Sequence, residues 1–204
     1  MTGLLSRLLV PGLSGAEIWD VGQPVAIHPC EDIHVARSVP KRRRDFGLGR
    51  ACARAALAGL GHGAAVIAKG ENGAPLWPTG IAGSITHTQD YAAALVGESG
   101  RFAGIGIDAE QAGGVTKDLW PRLFSEAERK MLGTHCDPLL AATLLFSAKE
   151  ASYKAWALKG APAFREIEIT LEEEGFAAVH AGAQLRGRHA VEKGVVLVAA
   201  WIAR

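Results

Sequence analysis

Neither charge is in excess in this sequence: 22 Lys and Arg stand against 21 Asp and Glu over 204 residues. A protein that holds nucleic acid through its bulk field carries a large basic surplus, so the near balance argues against that class and makes any electrostatic function local. Cysteine is scarce too. Cys30, Cys52 and Cys136 are odd in number and lack Cys-x-x-Cys spacing, which argues against a disulfide framework and a zinc site. No apolar run is long enough to cross a bilayer; the N-terminal Leu4-Leu-Ser-Arg-Leu-Leu-Val10 is too short and lacks the layout of a signal peptide. The expectation is a cytoplasmic protein with neither a membrane nor nucleic acid as partner. Low-complexity tracts are also missing, while 49% of the residues are hydrophobic, so the composition supports a packed core.

What is present reads as an alternation of helices and strands. Residues 1–20 are apolar but interrupted by Pro11, Gly12 and Gly15, which suggests a short helix or coil against the body. Residues 24–28 have strand character. A helix is expected over 39–60, with Pro40 in its first turn and Phe46, Leu48, Ala53, Ala56, Leu57 and Leu60 as its apolar stripe. A short strand at 66–68, a Gly- and Pro-rich loop, and strands at 83–87 and 91–97 follow. Beyond the strand at 102–110, a helical stretch covers 116–132, where Ser125-Glu-Ala-Glu128 has capping-box spacing. The longest helical pattern runs over 138–159, with Gly160 to end it. Strand-like runs at 166–171, 176–180 and 195–202 complete the chain. Each half thus holds one principal helix and about three strands, and Tyr91-Ala-Ala-Ala-Leu-Val96 resembles Val195-Val-Leu-Val-Ala-Ala200. The pattern suggests an α+β pseudo-duplication with a boundary near residue 103 and a cleft between the halves.

The chemistry-bearing residues gather in a few stretches. In Phe102-Ala-Gly-Ile-Gly-Ile-Asp-Ala-Glu110, an apolar run ends in two carboxylates that an extended chain places on one face. Alone, Asp108 and Glu110 read as a polar strand end. On the long helix, Glu150 and Lys154 are four apart and share a face beside Lys149; this reads either as an exposed ion pair or as the polar side of a cleft. If Glu150 meets Asp108 and Glu110, the three carboxylates repel unless a divalent cation joins them, and an all-oxygen set favours Mg²⁺ or Mn²⁺. Lys41-Arg-Arg-Arg44 opens the first helix, with Arg50 two turns beyond Arg42. That cluster is either a solvated face or a phosphate clamp, to which Lys69, Thr86 and His87 can add donors.

These motifs, taken in series, resemble those of the 4′-phosphopantetheinyl transferases. Gly104-Ile-Gly-Ile-Asp-Ala-Glu110 and Phe146-Ser-Ala-Lys-Glu-Ala-Ser-Tyr-Lys-Ala155 look like the two family signatures. The likeness extends through Pro40-Lys-Arg-Arg-Arg-Asp-Phe46, Gly49-Arg50, Lys69-Gly70, Gly73-Ala-Pro-Leu-Trp-Pro78 and Gly83-Ser-Ile-Thr-His87. It points to the surfactin-synthetase-activating type, in the mycobacterial and enterobactin-synthase-component branch. The resemblance implies an α+β fold made of two similar lobes related by a pseudo-twofold, residues 1–103 and 104–204. Each lobe would be a small, mainly antiparallel sheet packed on a long helix, with coenzyme A in the cleft.

The resemblance further implies Asp108, Glu110 and Glu150 as Mg²⁺ ligands, with Lys154 on the phosphates and assisting the leaving group. Arg42, Arg50 and Lys69 would hold coenzyme A phosphates, with Thr86 and His87 completing the nucleotide site. Lys149 also matches the motif and is counted with the coenzyme A contacts, while Glu128 reads first as a helix cap. The implied reaction moves phosphopantetheine from coenzyme A to a serine of an apo acyl or peptidyl carrier protein, with Glu150 as candidate general base. Carriers of nonribosomal peptide, polyketide, fatty-acid or siderophore synthesis are the implied acceptor class, and a monomer is expected. A binding module without chemistry and a metal-dependent nucleotide phosphohydrolase are the competing readings. Ala74 stands where relatives often carry Lys, which removes one contact to coenzyme A.

Overall fold

A computed structural model describes residues 3–19, 22, 25–63, 65–70, 73–156 and 164–204. Its strands are β1 (Leu13–Trp19), β2 (Ile81–Thr88), β3 (Tyr91–Glu98), β4 (Phe102–Gln111), β5 (Glu168–Leu171), β6 (Gly175–His180), β7 (Ala183–Glu192) and β8 (Val195–Ala203). The helices are α1 (Pro29–Asp32), α2 (Pro40–Ala58), α3 (Trp120–Leu123), α4 (Glu126–Gly133) and α5 (Pro138–Trp156). Two antiparallel sheets form, one ordered β1-β3-β2 and the other β4-β8-β7-β6-β5. The fold is therefore α+β.

The alternation of side chains along β3 and β8 explains how the layers stack. Ala92, Ala94 and Val96 pack with Leu48, Cys52, Ala53, Ala56 and Leu57 of α2. Tyr91, Ala93 and Leu95 point the other way, into a core shared with Ile105, Ile107, Leu197 and Ala199 of the second sheet. On that sheet's far face, Val196, Val198 and Ala200 meet Ala148, Ala151 and Ala155 of α5. The order of layers is α2, first sheet, second sheet, α5. The two runs singled out as alike in the sequence are the strands buried on both faces, which is why each is continuously apolar.

Several expectations need correction. Residues 13–19 form β1, paired with β3 from Leu13↔Gly97 to Trp19↔Tyr91, where a short helix or coil was expected. A one-turn 3₁₀ segment does precede it, at Leu5–Leu8. Residues 25–28 are irregular; positions 23 and 24 lie outside the described residues. The expected strand at 66–68 is absent because the backbone groups of Ile67 are occupied by side chains. Its N–H donates to Glu31 Oε1 and its carbonyl accepts from Arg50 Nε. The helical stretch at 116–132 divides into α3 and α4, separated by Phe124 in an extended conformation. The capping box is present: Ser125 Oγ accepts from the Glu128 N–H, and a Glu128 oxygen accepts from the Ser125 N–H. Strand β7 is not among the expected strands, since its polar residues face solvent and Gly187 breaks the apolar pattern in the sequence. The described part of α5 ends at Trp156, so Gly160 as its terminator lies outside the described residues.

Candidate active site

The site is built on a close approach between β4 and α5. Gly104 and Gly106 face the helix, and a Cβ at either would overlap a backbone carbonyl, that of Ala155 or Ala151 respectively. Only a strand without side chains there, against a helix face of alanines, allows this spacing. The contact brings α5 onto the strand end that carries Asp108. Lys154 Nζ donates to Asp108 Oδ1 at 2.6 Å and to the Ile107 carbonyl at 3.0 Å. Ser147 Oγ, two helical turns before Lys154, donates to Asp108 Oδ2 at 2.8 Å. Both oxygens of the buried Asp108 are thus engaged. Ser147 lies within the quoted signature, yet its spacing alone gives no signal of this bond.

Glu110 and Glu150 are in the opposite condition. Both are half-buried, and among the described residues neither has a hydrogen-bond or ion-pair partner. Burial pushes the Glu110 carboxyl up to about 7, helped by the charges of Asp108 and Glu150 and opposed by Lys154. Burial also raises Glu150 above the usual carboxylate range, with Lys154 opposing and Asp108 reinforcing. The three acids therefore share one electrostatic neighbourhood. Among the described residues, however, no group of three or more His, Cys, Asp or Glu side chains is gathered closely enough to hold a metal ion.

The basic residues lie on the α2 side. A cavity of about 140 Å³ is lined by Arg42, Arg50, Lys69 and His87, with Asp45, Phe46 and Pro75 among its other walls. Arg42 is exposed, whereas Arg50 is buried, bonded through Nε to the Ile67 carbonyl at 2.7 Å and stacked 4.4 Å from the Phe46 ring centroid. Burial lowers the Arg50 pKa, opposed by the Glu31 carboxylate, while Arg54 and Arg42 push the same way as burial. Burial also lowers the pKa of His87, opposed by Asp45, which favours its uncharged imidazole. The charge of Lys154 contributes to that lowering, so the acid and basic sides are in electrostatic contact.

Two expected ligand contacts are placed elsewhere. Lys149 is fully buried and paired with Glu128 at 2.9 Å beneath the Phe164 ring, so its ammonium is tied to α4. Thr86 is buried and does not line the basic cavity; its hydroxyl accepts from the Ala109 N–H at 2.9 Å and ties β2 to β4. A second cavity, about 620 Å³, opens at Glu150 between Arg122, Leu123, Phe146, Tyr153, Phe164 and Arg165. A larger one of about 730 Å³, beside Glu172 and Arg186, shares no residue with either and lies away from the acid cluster.

Comparison with known sequences identifies what this arrangement is similar to. A family model described as "4'-phosphopantetheinyl transferase N-terminal domain" matches residues 30–97, and one described as "4'-phosphopantetheinyl transferase superfamily" matches residues 104–199. The 4'-phosphopantetheinyl transferase Npt of Nocardia iowensis is 43% identical over 173 residues, 84% of this chain and 78% of that protein. PptT of Mycobacterium tuberculosis, also a 4'-phosphopantetheinyl transferase, is 35% identical over 98% of this chain and 96% of its own length. Enterobactin synthase component D of Salmonella typhi is 36% identical over 64% of this chain and 55% of that protein.

Proposed function

The chain belongs to the 4′-phosphopantetheinyl transferase superfamily and is an enzyme of that kind, and we propose that it moves the phosphopantetheine arm of coenzyme A onto a serine hydroxyl of an apo acyl or peptidyl carrier protein, releasing 3′,5′-ADP. The observation that carries the mechanism is the meeting of Lys154 with Asp108, beside two carboxylates without partners among the described residues and a cavity walled by arginine and lysine.

In this reading Arg42, Arg50 and Lys69 hold the phosphates of coenzyme A, and His87 in its uncharged form offers a hydrogen bond without adding charge. Lys154 projects its ammonium toward the pyrophosphate linkage that breaks and offsets the charge that develops on the departing 3′,5′-ADP. Asp108, Glu110 and Glu150 would hold a hard divalent cation, Mg²⁺ or Mn²⁺: all their donors are oxygen, and Glu110 and Glu150 are half-buried carboxylates with raised pKa values that a positive neighbour would stabilise. Such an ion, when bound, supplies charge neutralisation at the pyrophosphate. Among the described residues the Glu150 carboxylate has no hydrogen-bond or ion-pair partner, and its raised proton affinity suits it to accept the serine proton. The cavity at Glu150 shares no residue with the basic one and gives the incoming serine its own approach. Residues 1–103 would then contribute the nucleotide contacts and 104–204 the acids and Lys154.

Incubation of several apo carriers with the protein, coenzyme A and Mg²⁺, followed by intact mass spectrometry, tests the reading. The expected result is a phosphopantetheine mass gain on the carrier serine with stoichiometric 3′,5′-ADP. Release of nucleotide at the same rate with no acceptor present would sink it.

A further inference from the structure

The basic cavity rests on a side chain that lies outside it. Glu31, on the four-residue helix α1, is fully buried, an unusual place for a carboxylate and tolerable only when it is paired. Its oxygens accept from Arg54 Nη1 at 2.9 and 2.8 Å, and Oε1 also accepts from the Ile67 N–H at 2.9 Å. The Ile67 carbonyl in turn accepts from Arg50 Nε at 2.7 Å. One residue of irregular backbone is therefore held at its N–H by Glu31 and itself holds the guanidinium that lines the cavity. Two residues later, the Lys69 N–H donates to His34 Nε2 at 3.3 Å, just past α1, so the segment presenting Lys69 is pinned from the same side.

We propose that Glu31 is a positioning residue for the coenzyme A phosphates, fixing the 65–70 segment and, through the Ile67 carbonyl, the aim of Arg50. This inference rests on the transferase reading above. Glu31 does two things that a neutral side chain would not. It ties α2 to the segment through Arg54, and its charge counters the mutual repulsion of Arg50, Arg54 and Arg42 in a buried setting. With that charge removed, Arg54 loses its partner and the Arg50 guanidinium, which is already desolvated, faces two like charges. The expected first effect is on the aim of the Arg50 guanidinium, because the Ile67 carbonyl that holds it is fixed through Glu31. A fixed clamp lowers the entropic cost of holding a flexible phosphate ligand.

The test compares Glu31→Gln and Glu31→Asp with the unaltered protein. Calorimetric titration with coenzyme A and with 3′,5′-ADP gives affinity, and steady-state transfer gives KM and kcat. Glu31→Gln keeps the shape and an acceptor for the Ile67 N–H but loses the charge. It is expected to weaken both ligands and raise KM for coenzyme A about tenfold, with kcat at saturation and KM for the carrier within about twofold of the original. Glu31→Asp, which restores the charge on a shorter stem, is expected to recover part of the affinity. A merely structural role would lower the active fraction and hence kcat, leaving KM for coenzyme A in place; that result overturns the proposal. Unchanged affinity in Glu31→Gln overturns it too and leaves the transferase reading standing, whereas failure of the unaltered protein to bind coenzyme A overturns both.

Discussion

The two long helices, α2 and α5, each run 19 residues, and each backs a sheet on one side while presenting charge at one end of it, but their charges are handled in opposite ways. On the α2 side the buried Arg50 has a carbonyl, an aromatic face and a counter-charge arranged around it. On the α5 side Glu110 and Glu150 have no such partners among the described residues and carry raised pKa values. The buried cation is compensated within the protein, whereas among the described residues the two half-buried carboxylates are compensated only by the charge of Lys154. In the transferase reading, the difference would separate a surface that receives phosphate from one that receives a metal ion.

The sharpest way to break this contrast is Glu150→Gln, which keeps the size and removes the charge. It is expected to cost about 10³-fold in transfer, in the range of a lost general base, with coenzyme A binding retained by the α2 side. Transfer within threefold of the original, measured with a saturating apo carrier, would take Glu150 out of the chemistry. Next in size is Gly106→Ala. Because the added methyl meets the α5 backbone, it should cost about 2–3 kcal/mol in urea unfolding and lower transfer by shifting α5 from β4. Stability unchanged in that variant would mean the helix and strand are not in the contact described.

Arg50→Lys comes third. A lysine retains the charge but loses the stacked, bonded guanidinium, so coenzyme A affinity should fall about tenfold, read by calorimetry. Equal affinity would show that the carbonyl and Phe46 contribute nothing to phosphate binding. The smallest effect is on stability and concerns Glu110. A carboxyl whose pKa is raised by folding takes up protons relative to the unfolded chain, so it lowers stability as pH rises from its ordinary value of 4.5 to about 7. Without divalent metal, Glu110→Gln should therefore raise Tm by a few degrees at pH 8, about 1 kcal/mol, and leave it unchanged near pH 4.5. A lower Tm at pH 8 would show that Glu110 is satisfied as an anion.

The sequence makes some of this contrast visible and hides the rest for physical reasons. Asp108, Glu110, Glu150 and Lys154 are legible because strand period and helix period put them on faces that motif spacing reveals. Strands β3 and β8 are legible because burial on both faces leaves an unbroken apolar run. Strand β1 is hidden because Gly12 and Gly15 obscure its alternation, and its partner β3 is some 78 residues away in register. Lys149 illustrates the limit of motif reading: its place in the signature suggests a ligand contact, yet its ammonium ends on Glu128. Glu31 gives no local sign at all, since Arg54 and Ile67 are 23 and 36 residues away and pair with it only after folding.

The stacking of the first sheet directly on the second has a consequence for any attempt to divide the protein. The chain can be cut on paper between Gly97 and Gly104, but Tyr91, Ala93 and Leu95 on one side of the cut are kept dry by Ile105, Ile107 and Leu197 on the other. Expressed apart, each fragment would present a sheet-sized greasy surface to water and find another copy or a precipitate sooner than a native shape. Mixed during refolding, the pair should reassemble and regain transfer, since what joins them is the shared interior and not the short link of chain.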